Sequence, residues 1–174
     1  MTRSDPETPG SRLCRSVGVA PSEGSREARQ GGALALVVID TNVVLDLFVF
    51  DDPAVAPLRA ALVQGRVAWI ASEAMREELR RVLDYPRLAR RLDGGGPDAV
   101  LAAFDRHARR VAPAAKAAFT CRDPDDQRFI DLAVAHGAAL LSKDAHVLAL
   151  ARRLAGIGVP VRRAWAPSAE GAVA

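Results

Sequence analysis

Four carboxylates interrupt the apolar pattern around them: Asp40, Glu78, Asp126 and Asp144. Asp40 closes the apolar, β-branched run that starts at Leu34, and Asp144 follows the apolar segment Ala138 to Ser142. Runs of this kind read as strands buried on both faces, and open α/β folds place their ligand sites just beyond the carboxyl ends of such strands. Glu78 lies on the stripe formed by Met75, Leu79 and Val82, three residues after the first and four before the last, whereas Glu77 falls on the opposite side with Arg81 at i+4. Asp126 aligns with Phe129, Ile130 and Ala133, and Asp125 with Arg128 and Leu132. Each acid also has a plain structural account. Asp40 and Asp144 can cap helices, and Glu78 can stand at the stripe's edge in water. Asp123-Pro124 reads as an N-cap followed by proline at N1, with Asp125 and Asp126 favoured by the helix dipole in the first turn. Should the four meet, they cannot all stay ionised uncompensated, and Lys143 is the one adjacent cation. A divalent metal resolves the conflict. Oxygen ligands without a Cys or His cluster select Mg²⁺ or Mn²⁺, which suits phosphate chemistry.

The elements that must bring these acids together follow from punctuation and periodicity. After the first strand, Val43 to Phe50 opens a helix, Asp51-Asp52-Pro53 breaks it, and Pro53 to Gln64 forms another that stops at Gly65. Arg66 to Ala71 reads as a strand containing Trp69, and Ser72 caps a helix over Glu73 to Leu83 that Asp84-Tyr85-Pro86 ends. Gly94 to Pro97 is a loop and Asp98 to Val111 a further helix; Asp123-Pro124 starts one that runs to Gly137. Ala138 to Ser142 is a strand, Asp144 or Ala145 starts a helix ending near Gly156, and Val159 to Val161 is a last strand. Strands alternating with helices indicate a three-layer α/β/α sandwich around a central parallel sheet of four to five strands. Residues 1–33, rich in Ser, Gly, Pro and Arg and without periodicity, read as a disordered extension; 34–166 form the domain and 167–174 a flexible tail.

The ordered set Val37-Val38-Ile39-Asp40-Thr41-Asn42, Glu77-Glu78-Leu79, Asp123-Pro124-Asp125-Asp126-x-x-Phe129 and Leu141-Ser142-Lys143-Asp144, with Tyr85-Pro86-Arg87-Leu88 after the second acid, resembles a PIN-domain ribonuclease. It is most similar to the branch of toxins from toxin–antitoxin pairs related to VapC. The resemblance spans residues 35 to 163. It implies that Asp40, Glu78, Asp126 and Asp144 are catalytic and metal-binding, with Mg²⁺ or Mn²⁺ as cofactor. It also implies that Asn42 orients the first acid, that Ser142 lines the site, that RNA is the substrate, and that a cognate antitoxin and a second copy are partners. One position departs: relatives often carry an acid two residues after the one matching Asp144, and here it is His146.

Composition narrows the function classes without choosing one. The net charge is only +3, and Arg dominates the basic residues, with Lys116 and Lys143 the only lysines, a bias that a GC-rich genome also produces. The arginines at 76, 80 and 81, at 87, 90 and 91, and at 106, 109 and 110 suit an RNA backbone or a solvated helix face. Cys14 and Cys121 form no disulfide framework or metal spacing, and no apolar run approaches a membrane span, so a cytoplasmic protein is expected. A haloacid-dehalogenase-like phosphatase needs an Asp where Asn42 stands, and a receiver domain needs an acidic pair where Asp40 is followed by Thr41. The remaining alternative to cleavage is a PIN-like scaffold that binds RNA or a protein without cutting.

Overall fold

The computed structural model describes residues 34–92 and 95–166; the extension expected over 1–33 and the tail over 167–174 lie outside the described residues. Five strands form one sheet: β1 (Ala35–Ile39), β2 (Val67–Ala71), β3 (Ala108–Arg110), β4 (Ala139–Leu141) and β5 (Val161–Arg162), in the order β3-β2-β1-β4-β5 with every pair parallel. Val37, Val38 and Ile39 are buried, as a central strand covered on both faces requires. The chain runs from β1 outward through β2 to β3, then returns to lay β4 against the other side of β1. Ile39 pairs with Leu141, and the Asp40 N–H donates to the Leu141 carbonyl at 2.9 Å. The point where strand order reverses therefore lies between the carboxyl ends of β1 and β4.

The flanking helices are α1 (Thr41–Phe48), α2 (Ala56–Val63), α3 (Glu73–Leu83), α4 (Pro86–Ala89), α5 (Gly96–His107), α6 (Gln127–His136), α7 (Ala145–Leu148) and α8 (Ala151–Ala155). A 3-10 turn over Pro53–Val55 precedes α2, its Ala54 N–H donating to the Asp52 side chain at 2.9 Å. Gly65 ends that segment with φ at 64°, a conformation that glycine adopts without penalty. Trp69 on β2 anchors one part of the core: its ring meets Phe104 of α5 edge-on at 4.7 Å and Phe48 of α1 at 6.4 Å. Helix α6 packs its buried Phe129, Ile130 and Ala133 against β1 and β4.

Several expected boundaries move. The helix expected over Asp98 to Val111 stops at His107, because Ala108 turns extended and pairs with Trp69 as a fifth strand; the free edge of β2 outweighs local helix preference. The helix expected from Asp123-Pro124 begins only at Gln127, after a turn in which the Asp125 N–H donates to the Asp123 side chain. Gln127 ties the incoming loop there, accepting from the Cys121 N–H and donating to the Phe119 carbonyl. The single helix expected up to Gly156 divides into α7 and α8, the Leu150 N–H reaching the Val147 carbonyl in a tighter turn. The last strand is Val161–Arg162, with Val159 buried ahead of it. Glu77 pairs with Arg80, not with Arg81. No described helix is long and apolar enough to cross a membrane.

Candidate active site

Asp40 leaves β1 at the reversal point and is 3% exposed. Its Oδ2 accepts from Asn42 Nδ2 at 2.9 Å and from the Ser142 hydroxyl, which arrives from the end of β4 fully buried. Asn42 spans the two strand ends, since its Oδ1 also accepts the Lys143 N–H at 3.2 Å. Ser142 does likewise: its Oγ accepts the Asp144 N–H at 3.0 Å while its O–H serves Asp40. Two side chains thus lock β1 and β4 together around one carboxylate. Burial pushes the Asp40 carboxyl above its ordinary range, against the opposing pull of Ser142 and Asn42.

Asp144 caps α7. Its Oδ1 accepts the N–H groups of His146 at 2.6 Å and Val147 at 3.3 Å, so the capping account and the site account hold together. Burial resists its ionisation, but those N–H groups, His146 and Asp126 outweigh it and keep the carboxyl below its usual range. Asp126 shows the opposite behaviour. Burial first, then the charges of Asp40 and Asp144, push it up to about 7. Asp125, one residue earlier, points outward with 85% of its side chain exposed. The three carboxylates of Asp40, Asp126 and Asp144 therefore stand close enough to disturb one another, and none is ion-paired to a lysine or arginine among the described residues.

Glu78 stands at the margin of this group. Its side chain is 18% exposed against 49% for Glu77, so the inward-facing one of the pair is Glu78. The Thr41 hydroxyl donates to its Oε1 at 3.1 Å, next to Asp40 in the chain. Its buried Oε2 has no hydrogen-bond partner, with Arg128 Nη1 at 3.1 Å within ion-pairing distance but not aligned to donate. Burial raises Glu78 above the normal range, Arg128 and Thr41 opposing, Asp40 and Asp125 adding to it.

Two expectations about charge compensation change. Lys143 is turned away from the acids, its Nζ lying 2.7 Å from Asp46 and 3.0 Å from Asp52. Compensation for Glu78 comes instead from Arg128, which the helix spacing aligns with Asp125 and Leu132. A set of potential metal donors that the sequence does not announce also forms: ligand atoms of Asp123, Asp126 and His146 all lie within 4.8 Å of one another. The sequence reads Asp123 as a cap; the signal that sets it beside Asp126 is the spacing of three across a turn. Among the described residues, the four sequence-selected acids do not close to that span as a set. His146 Nδ1 is buried without a hydrogen-bond partner and 3.6 Å from Asp144 Oδ1.

These residues fit a hard divalent cation. Asp40, Asp126 and Asp144 have no lysine or arginine partner among the described residues, and a buried Glu78 oxygen and the His146 Nδ1 have no hydrogen-bond partner, a donor set of the kind that holds such an ion.

No curated protein matches the chain. Among solved structures, the fold is similar to VapBC2 from Rickettsia felis, crystallised bound to a DNA fragment from its promoter, with a TM-score of 0.51 at 13% identity. The match covers 75% of this chain and 99% of that one. At that identity the likeness is one of fold. The PIN-domain family model matches residues 36–146, a span that runs from β1 into α7 and holds all four acids, and the chain belongs to the PIN-domain family.

Proposed function

We propose that this chain is a metal-dependent ribonuclease that hydrolyses phosphodiester bonds in RNA, and that it is the toxin of a toxin–antitoxin pair. The observation carrying the reading is that Asp40 and Asp144 leave neighbouring strand ends tied together by Ser142 and Asn42, with Asp126 near enough to be raised by both, and that no lysine or arginine is paired to any of the three among the described residues. Oxygen donors suit Mg²⁺ or Mn²⁺, and the His146 nitrogen beside Asp123 and Asp126 tilts the preference towards Mn²⁺. A divalent cation held by these residues would supply Lewis-acid polarisation of the phosphate and would make a water more acidic.

The chain's own residues position and hold. Ser142 and Asn42 fix the orientation of Asp40. The N–H groups of His146 and Val147 fix Asp144. Thr41 and Arg128 hold Glu78 at the edge of the group. Asp126, with its carboxyl near neutrality before a cation arrives, is the group able to take or release a proton at neutral pH.

The antitoxin reading rests on the resemblance of the motifs to VapC-related toxins, with the fold likeness to VapBC2 in support. An acidic crevice of this kind is blocked by a partner segment bearing Arg or Lys. A second copy of the chain and a cytoplasmic setting belong to the same reading. The non-cleaving alternative rests on His146 standing where relatives often have an acid. Its place among the donor atoms of Asp123 and Asp126 favours the cleaving reading.

The test is incubation of the purified chain with varied RNAs, with and without Mg²⁺ or Mn²⁺, beside Asp126→Asn. The expected result is metal-dependent cleavage by the wild type that falls at least about 100-fold in the variant. Equal cleavage by both, or none by the wild type with either metal, overturns the proposal.

A further inference from the structure

Beside Glu78, a polar pocket of about 160 Å³ opens between the end of α3 and the start of α6. Glu78, Arg81, Val82 and Tyr85 line one wall at the i, i+3, i+4, i+7 spacing of a single helix face, which Tyr85 continues just past the end of α3. Asp125 and Arg128 line the other. The two arginines differ in freedom. Arg128 is committed: its guanidinium meets Glu78, the Asp125 side chain and carbonyl, and the Ala74 carbonyl. Arg81 makes no ion pair among the described residues, because Arg80 takes Glu77. Tyr85, the only tyrosine of the chain, is 60% exposed although it is a large ring.

We propose that Tyr85 and Arg81 bind the nucleotide neighbouring the cleaved phosphodiester, the Tyr85 ring stacking on its base and the Arg81 guanidinium taking a backbone phosphate. The inference rests on the ribonuclease reading and names how its substrate is held. An exposed aromatic beside an uncommitted arginine is the chemistry that grips unpaired nucleotides, since every base offers a face to stack and every phosphate two oxygens to a guanidinium. The pocket leads to Glu78, whose Oε1 takes the Thr41 hydroxyl next to Asp40. A nucleotide seated there lies beside the acids. A duplex does not present a base free to stack, so the assignment carries a preference for single-stranded RNA.

The experiment uses the full-length chain with Asp126→Asn as a common background, so that RNA survives the measurement. The probe is a fluorescently labelled single-stranded RNA of about ten nucleotides, a length typical of such binding sites. Binding is measured by anisotropy over a range of salt, with the same RNA as a duplex and with an abasic version. Tyr85→Ala is expected to weaken binding about ten-fold or more, Tyr85→Phe to restore it, and the abasic RNA to remove the difference. Arg81→Ala is expected to reduce the slope of log affinity against log salt by about 0.7, one single-strand phosphate contact. Circular dichroism checks that the variants fold. If the wild type cleaves RNA but Tyr85→Ala and Arg81→Ala bind as the background does, this assignment is overturned alone. Equal or tighter binding of the duplex overturns it as well. If neither metal supports cleavage by the wild type, the ribonuclease reading fails first and this inference falls with it.

Discussion

Asp126 is the residue at which the charge conflict of the site concentrates. Its pKa of about 7 in the folded chain stands well above the unfolded value near 3.9, so the stability linked to its proton is fully present below the unfolded value and is lost as pH rises through about 7. Asp126→Asn is therefore expected to stabilise the metal-free chain above its pKa by about 1–2 kcal/mol, the partial exposure screening the effect, and to change nothing at low pH. Thermal melts of both chains well below and well above that pKa check it; a wild type that stays the more stable at high pH contradicts it. Ser142 acts one layer out. Removing its hydroxyl leaves Asp40 with one side-chain partner; on the proposed reading Asp40 is a metal ligand, and outer partners of such ligands typically tune affinity about 10–100-fold. Ser142→Ala should weaken Mn²⁺ binding by that factor in titration calorimetry, and unchanged affinity would remove Ser142 from the support of the site. At this scale the inward pointing of Glu78 and Asp126 was legible because a helix face is written in spacings of three and four. The diversion of Lys143 to Asp46 and Asp52 was not, since it depends on where α1 and its following turn lie.

Among the elements, β3 is the instructive case. Nothing in Ala108–Arg110 resembles a strand, and the segment follows α5 without an intervening loop. It is fixed by pairing with β2 and by charges between elements: Asp105 of α5 binds Arg76 of α3 through both oxygens at 2.8 Å, and also Arg110 of β3, which in turn meets Glu73. Neighbours that distant in sequence leave no local signature. Arg76 first, with Arg110 in support, holds the Asp105 carboxyl down at about 2. Because that value lies below the unfolded one, the contribution is present above about pH 3.9 and disappears as pH falls through about 2. Asp105→Asn should lose about 1 kcal/mol at neutral pH, a figure reduced for the exposure of the pair. Urea midpoints across the acid range check it: the gap between wild type and variant should close towards the lowest pH, and a gap that persists there contradicts the linkage.

For the whole molecule, the alternation of buried strands and amphipathic helices announced a parallel α/β sheet, because burial on both faces removes polar positions from strands such as β1. The strand order was a different matter, as parallel pairing is chosen by which faces fit, not by what is adjacent in sequence. Trp69 is one such fit, packed against Phe48 and Phe104 from two helices. Trp69→Ala should cost about 3–5 kcal/mol, a large share of the ~5–15 kcal/mol that holds an ordinary domain together. Denaturant unfolding measures it directly, and a cost below about 1 kcal/mol would mean that the aromatic cluster is not central to the core.

The Ser142–Asp40 contact joins residues separated by 102 positions, across strands that neighbour one another only after the chain has travelled out to β3 and back. Closing that long excursion is the slow, non-local part of building such a sheet. A chain still attached to the ribosome, with β4 inside the exit tunnel, holds Asp40 and Glu78 but has neither Ser142 nor Asp144 to set beside them. Synthesis thus separates the making of most of this chain from the assembly of its acid cluster, and the interval lasts until almost the last element of the sheet has emerged.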